Sequence, residues 1–208
     1  MKFLTVLAAI FVVRTVNSAP FRHQQAAFAA IKPNDKLPFT DLLWNFPDVQ
    51  RVNIVEYCAS RSVIIVGLPG AFTPTASSTQ IPSYVENQDA LKKAGVEEVI
   101  FYCVNDSAVM GIWMHKLELT GSMTQLFGDP SGEFTKACGM EMTDPALESV
   151  GLIGRSKRFA MHVVNNVVKY VAVSESDDDP AGDANPEATC APAMIKAIKE
   201  ANLNSVIR

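Results

Sequence analysis

An α/β domain built on a mixed sheet, with helices on both faces, is predicted by three features of this chain. Residues 63–66 (Val-Ile-Ile-Val) and 99–104 (Val-Ile-Phe-Tyr-Cys-Val) are continuous apolar runs rich in β-branched and aromatic side chains. Such runs mark strands buried on both faces. The stretches after each of them carry apolar residues at helical spacing. Late in the chain, residues 159–164 and 167–173 flank Asn165-Asn166, a two-residue hairpin signal. Strands that alternate with helices early and pair antiparallel late give a mixed sheet.

In order along the chain, residues 31–38 (Ile-Lys-Pro-Asn-Asp-Lys-Leu-Pro) open the folded domain, and residues 41–46 form a short hairpin or turn. The first central strand, residues 63–66, is bounded by Gly67. Ser77, Ser78 and Thr79 are candidate N-caps of a helix that carries Tyr84, Val85, Gln88 and Leu91 on one face and ends at Gly95. Pro82 lies inside that helix and predicts a kink or a broken first turn. After the second strand, Asn105-Asp106 caps a helix whose apolar face is Val109, Ile112, Trp113 and Leu117, with Gly121 beyond it. Residues 123–127 are strand-like, and residues 128–132 (Gly-Asp-Pro-Ser-Gly) make a turn into a short helix. Residues 174–188, rich in Asp, Pro and Ala, read as a mobile, solvated surface loop. Asp177, Asp178, Asp179 and Asp183 do not have the spacing of a twelve-residue calcium loop. Residues 191–201 form a closing helix with a fraying tail.

Size and charge narrow the classes. A hydrophobic fraction of 48% with 19% charged residues suits one domain with a sizeable core. Net charge is −4 and no basic stretch is dense enough for nucleic-acid binding. Residues 1–19 read as a signal peptide: Lys2 is its positive end, residues 3–13 its apolar run, and residues 16–19 (Val-Asn-Ser-Ala) its cleavage site. The run is too short for the ~20 residues that a membrane span needs, so no membrane span is expected. Loss of Lys2 and Arg14 takes the charge from −4 to −6. No acidic residue precedes Asp35, so residues 20–30 form a linker or transit-like segment. The expected destination is the secretory pathway or secretion; the alternatives are a plastid, reached through a signal plus transit peptide, or a mitochondrion. The folded domain is assigned to residues 31–203 and the tail to 204–208. Cys58, Cys103, Cys138 and Cys190 show neither Cys-x-x-Cys pairing nor metal-ligand spacing with the three histidines, so no metal and no cofactor are expected. Two disulfides are open to an even count, but a core of this size does not need them, and buried thiols are expected for at least two.

The most telling segment is residues 67–78, Gly-Leu-Pro-Gly-Ala-Phe-Thr-Pro-Thr-Ala-Ser-Ser, between a strand and a helix. It resembles the peroxiredoxin signature Pro-x-x-x-Thr-x-x-Cys, filled here by Pro69, Thr73 and, at the cysteine position, Ala76. The wording Pro-Gly-Ala-Phe-Thr-Pro-Thr, followed by Ser, resembles the type 5 (type II, atypical two-cysteine) branch. The resemblance runs from about residue 31 to residue 203 and implies the thioredoxin-like fold in its peroxiredoxin form. It also implies thioredoxin- or glutaredoxin-dependent reduction of hydrogen peroxide and alkyl hydroperoxides, antioxidant defence, and a homodimer.

By that resemblance, Thr73 orients the peroxide, Pro69 shields the site, and Arg158, in Ser-Lys-Arg-Phe, faces the sulfur and the peroxide. Cys190, in Thr-Cys-Ala-Pro, matches the resolving cysteine. Without the resemblance, Arg158 is a strand-end charge, Pro69 and Thr73 are turn and cap, and Cys190 is a bystander. The family reaction needs a thiolate, stabilised by a helix N-terminus and a nearby cation. A methyl group at position 76 removes it, so peroxidase turnover is expected to be lost. What is expected to remain is a cationic pocket for a hydroperoxide or a small anionic ligand, with backbone N–H groups at 75 and 76 as its cradle. Alternatively, residue 76 is cysteine or selenocysteine in the native protein and the alanine is engineered or an error. A thiol-disulfide role for Cys190 and Cys103 is the third reading; Cys103 reads otherwise as a buried strand thiol.

Overall fold

The computed structural model describes residues 29–176 and 178–206, so the leader assigned to residues 1–19 and most of the linker lie outside the described residues. Seven strands form one mixed sheet in the order β2-β1-β5-β4-β3-β6-β7. Beside the middle strand β4 (Glu98–Cys103) lies β3 (Ser62–Leu68), parallel to β4 and antiparallel to β6 (Phe159–Val164). β5 (Thr124–Gly128) continues the parallel part, and β7 (Val167–Val173) pairs with β6 through positive φ at Asn165 and Asn166. Left-handed φ at both turn positions matches strand twist, which is why this dipeptide closes the hairpin. Residues 41–46, expected as a short hairpin or turn, hold only the first arm of a longer hairpin: β1 (Asp41–Trp44) pairs with β2 (Gln50–Asn53) and extends the sheet beyond β5.

The continuous apolar runs are explained by burial on both faces. Alternate residues of a strand point to opposite sides. Ile64, Val66 and Leu68 of β3 join Val99, Phe101 and Cys103 of β4 in one core layer, and Val63, Ile65, Ile100 and Tyr102 form the other. The first layer is covered by α2 (Ile81–Glu86), α3 (Gln88–Lys93), α4 (Ser107–Lys116) and α7 (Ala191–Val206). The second is covered by Ile31 and Leu37 from the opening segment, Ile54 of α1 (Ile54–Tyr57) and Phe134 of α5 (Glu133–Ala137). A last short helix, α6 (Pro145–Ser149), precedes the turn into β6. Each such side chain removed from water contributes roughly 1.5–3 kcal/mol before chain entropy is subtracted.

Several local expectations change. In α4, Asp106 caps the helix by accepting the Val109 N–H at 2.9 Å, whereas Asn105 is used elsewhere. The buried row is Met110 and Trp113, while Ile112 is 57% exposed. Val109, three residues before Ile112 on the same row, is half-buried. Ser77, Ser78 and Thr79 are not caps: the helix is under way from Pro74, residues Ala76–Gln80 form a π-helical turn, and the Ser78 hydroxyl donates to the Pro74 carbonyl at 2.8 Å. Pro82 sits in the first turn of α2, directly after the π-helical turn, so the ladder is irregular just ahead of it. The Ile81 N–H reaches back five residues to the Ala76 carbonyl, so the ladder is already widened where proline would lose its bond. Gly95, at φ +91°, follows α3 as a left-handed C-terminal glycine. The final helix runs to residue 206, through most of the segment expected to fray.

Behind the hairpin, the His162 Nε2 lies 3.0 Å from the Ser62 hydroxyl, and the side chain is buried. Burial, with some help from Lys169, pushes its pKa down from 6.5 to about 4. The unfolded chain therefore binds a proton between those values that the folded chain refuses. Stability is complete above about pH 6.5 and falls as the pH drops towards 4, by about 3 kcal/mol in all. Urea denaturation at pH 7 and pH 4.5 should show this loss, and His162→Gln should flatten the pH dependence in that window.

Candidate active site

The site is built where β3 leaves the sheet. Pro69 and Gly70 are buried, and the chain turns through Phe72, at φ +61°, before Pro74 opens the helix. Proline suits a first helical position because that N–H would have no partner anyway. The Ser77 N–H to Thr73 carbonyl bond, 3.0 Å, is the first i→i−4 link. The N–H groups of Thr75 and Ala76 precede it and have no place in the helical ladder. Asn105 fixes this turn from the end of β4. Its Oδ1 accepts the Ala71 N–H at 3.1 Å and an Arg155 Nη1–H at 3.1 Å, while Arg155 also donates to the Val104 carbonyl at 2.8 Å. The Thr73 hydroxyl donates to the Gly70 carbonyl at 3.1 Å.

Ala76 is fully buried at the head of this helix, its methyl part of the core layer that includes Leu68 and Cys103. One turn further, at i+4 on the same helical side, stands Gln80, also fully buried. Gln80 is the hub that sequence reasoning missed. Its Oε1 accepts from Arg158 Nη1 at 2.5 Å, and its Nε2 donates to the Thr189 hydroxyl at 2.9 Å and carbonyl at 3.3 Å. An amide on an otherwise buried helical stripe was the available signal. Arg158, immediately before β6, is 1% exposed, and its guanidinium meets Gln80, four residues beyond Ala76. Arg158 Nη2 is paired with the Asp183 carboxylate, and Arg158 Nε has no hydrogen-bond partner among the described residues. Burial pushes the guanidinium's pKa down, and the Asp183 carboxylate opposes that.

Two expectations are corrected here. The acidic segment is largely exposed, as a surface loop should be, but it is anchored to the site rather than free of it. Asp179 accepts the N–H groups of Asp183 and Ala184 at 3.0 and 2.8 Å, a 3-10 turn at Pro186–Thr189 buries both its ends, and Asp183 reaches the site. The guanidinium is consequently not an open cationic pocket, because a carboxylate of the same chain already neutralises it. Cys190 follows that turn, buried beside Ser83, whose hydroxyl accepts the Ala191 N–H at 3.2 Å. Burial raises the Cys190 thiol's pKa, partly offset by Ser83.

All four cysteines are free and buried. Burial pushes the Cys58 thiol up to about 12, and pushes Cys103 and Cys138 higher still. Cys103 pairs in register with Leu68, beside the loop's departure, and Arg155 and Arg158 do not overcome its desolvation. None of these three thiols is set up to form a thiolate. Among the described residues there is no group of three or more His, Cys, Asp or Glu side chains that could hold a metal, and no helix long and apolar enough to cross a membrane.

A strand-to-helix turn against a buried arginine, on a mixed sheet with helices on both faces, defines the thioredoxin-like class in which thiol peroxidases are built. Residues 32–188 match the Redoxin family model. A chloroplastic peroxiredoxin-2E-2 of Oryza sativa subsp. japonica is 35% identical over 150 residues, which cover 71% of this chain and 66% of that protein. The chloroplastic peroxiredoxin-2E of Arabidopsis thaliana is also 35% identical over 150 residues, covering 71% of this chain and 63% of its own length. Somewhat under two thirds of each of these two relatives is thus matched. Among solved structures, reduced Prx3 of Vibrio vulnificus in complex with hydrogen peroxide superposes with a TM-score of 0.70 at 30% identity, over 81% of this chain and 96% of that one. Peroxiredoxin 5 of Alvinella pompejana gives 0.65 at 26% identity, over 82% and 99%. The chain belongs to the redoxin family as a peroxiredoxin.

Proposed function

We propose that this protein is a type 5-like peroxiredoxin that keeps the hydroperoxide-binding architecture of the family and does not turn peroxide over. The observation that carries the reading is the methyl group of Ala76, buried at the head of the helix. In the family reaction a thiolate forms an S–O bond as the O–O bond breaks; the sulfur is oxidised to sulfenic acid, and hydroxide or alkoxide leaves. A methyl group has no electron pair to give. Pro69 and Thr73 belong to the same turn as Ala76, Arg158 is bonded to Gln80 four residues further on, and the hydrogen peroxide complex of the Vibrio vulnificus relative supports a peroxide-sized ligand among them.

Thioredoxin or glutaredoxin would be the electron donor only if a sulfur were supplied; Cys190 then has the resolving role. The exposed rings of Phe46 and Phe72 flank α4, with the Phe72 centroid 5.8 Å from that of Trp113, and this is the face we assign to a homodimer contact. The two chloroplastic relatives favour the plastid route over plain secretion.

The test is peroxide consumption by purified protein whose mass confirms alanine at 76, supplied with a thioredoxin or glutaredoxin system. Consumption indistinguishable from the donor system alone is expected; turnover comparable with an active peroxiredoxin would defeat the reading. Sequencing codon 76 from genomic DNA separates a native alanine from an introduced one.

A further inference from the structure

Arg158 poses a charge problem that Asp183 solves. A guanidinium with no exposed side-chain surface needs a counter-charge, because an unpaired buried cation is expensive. In a peroxiredoxin with its cysteine, the thiolate one helical turn from Gln80 would help to supply it; Ala76 cannot. The Asp183 carboxylate supplies it from a strap, residues 178–189, that is anchored on both sides of the contact. Upstream, Asp179 holds the backbone of Asp183 and Ala184, and Gly182, at φ +65°, passes so close to Ser174 that a Cβ would meet its backbone at 2.9–3.0 Å. Downstream, Thr189 is clamped by Gln80, by the Tyr84 hydroxyl donating to its carbonyl at 2.7 Å, and by the Ser174 hydroxyl at 3.0 Å. Thr75, next to Ala76, donates from its hydroxyl to the Asp183 carbonyl at 3.4 Å. The Asp183 side chain itself remains 50% exposed, so solvent reaches the contact and it can be displaced.

We infer that Asp183 is an internal ligand of this site: its carboxylate occupies the Arg158 guanidinium in place of a small external anion, and keeps such anions off until the strap is displaced. The ligand class that competes is a monocarboxylate small enough to sit between Arg158 and the N–H groups of Thr75 and Ala76. The inference rests on reading Arg158 as the cation of the site, and its test needs no peroxidase chemistry.

The probe is sodium formate, titrated into ¹⁵N-labelled native protein, Asp183→Asn and Asp183→Ala, and followed through the Gln80 side-chain amide and the Thr75 and Ala76 N–H signals. Both variants should bind formate at least about tenfold more tightly than the native chain, a gain of about 1.4 kcal/mol. Adding Arg158→Met should abolish the gain, and Asp178→Asn, an exposed acid on the same strap, should not produce it. Far-UV circular dichroism establishes that each variant is folded. Equal formate affinity in the native chain and in both folded Asp183 variants overturns the inference, as does an equal gain from Asp178→Asn. Formate binding gained here with no peroxidase recovered by a cysteine at 76 would sink the peroxidase-site reading alone; the converse would sink this inference alone.

Discussion

Ala76→Cys is expected to convert this protein into a thioredoxin- or glutaredoxin-dependent peroxidase, raising peroxide consumption over the native chain by roughly three orders of magnitude or more. Removing a catalytic nucleophile from a built site costs on the order of 10⁶-fold in well-studied enzymes, so restoring one to a partly preserved site recovers a large part of that. The side chain would emerge where two N–H groups precede the helical ladder, with the guanidinium held one turn away by Gln80. Both features favour a thiolate over a thiol. The Asp183 carboxylate opposes this, because it is a like charge and already pairs the cation. Ala76→Cys/Asp183→Asn should therefore exceed Ala76→Cys alone. Cys190 should become necessary for turnover with the protein donor, since it alone among the other cysteines follows the strap that touches the site. Peroxide consumption and alkylation rate at neutral pH check the two variants side by side. A folded Ala76→Cys protein with no gain in peroxide consumption would mean that the surrounding residues no longer form a peroxidase site.

The sheet was legible because its central strands are buried on both faces, and only unbroken apolar runs meet that condition. Residues 63–66 and 99–104 could be little else once Gly67 and Asn105-Asp106 punctuated them. The Asn165-Asn166 hairpin was legible because few residues other than glycine accept two successive positive φ values. The head of the helix was harder to read. Serine and threonine at 77–79 have N-cap chemistry, but Pro74 starts the helix earlier and tertiary packing sets the register. The outward side of α4 is not legible, because the exposed Ile112 carries the same apolar signal as the buried Met110 and Trp113. Apolar side chains surround that helix, and only the packing partner chooses a face.

The site was legible where local wording carries it and hidden where it depends on distant pairs. Pro69, Thr73 and Ala76 share one turn. Arg158 meets Gln80 across 78 residues and Asp183 across 25, and nothing local announces either meeting. Asp183 was the hardest of these to see. An acid among acids, prolines and alanines has the composition of a solvated loop, and only the clamps at Asp179, Gly182 and Thr189 turn that loop into a strap. Asn105 has the chemistry of a helix cap, as asparagine generally does. Its carbonyl oxygen instead joins Ala71 to Arg155, while the neighbouring aspartate takes the cap.

Replacing Arg158 should separate the fold's need for this side chain from the site's. Arg158→Ala is expected to cost about 3–5 kcal/mol in urea denaturation, through a cavity in a fully packed region, loss of the stem's contacts and an unpaired Gln80 Oε1. Arg158→Met keeps most of the volume and removes the buried charge with its desolvation cost. Such replacements of buried ionic groups by apolar ones are often neutral or better. Against that stands one orphaned amide oxygen at Gln80, roughly 1–3 kcal/mol, so Arg158→Met should lie within about 2 kcal/mol of the native chain. Asp183, half exposed, turns to water in either variant and adds little. The ordering distinguishes two pictures. If packing dominates, alanine is much worse than methionine; if the ion pair with Asp183 dominates, the two are equally poor. In the Ala76→Cys background both should abolish the acquired peroxidase activity, although only the alanine variant is severely destabilised. A stable Ala76→Cys/Arg158→Met protein that still consumed peroxide at the Ala76→Cys rate would remove Arg158 from the site and leave it a packing residue beside β6.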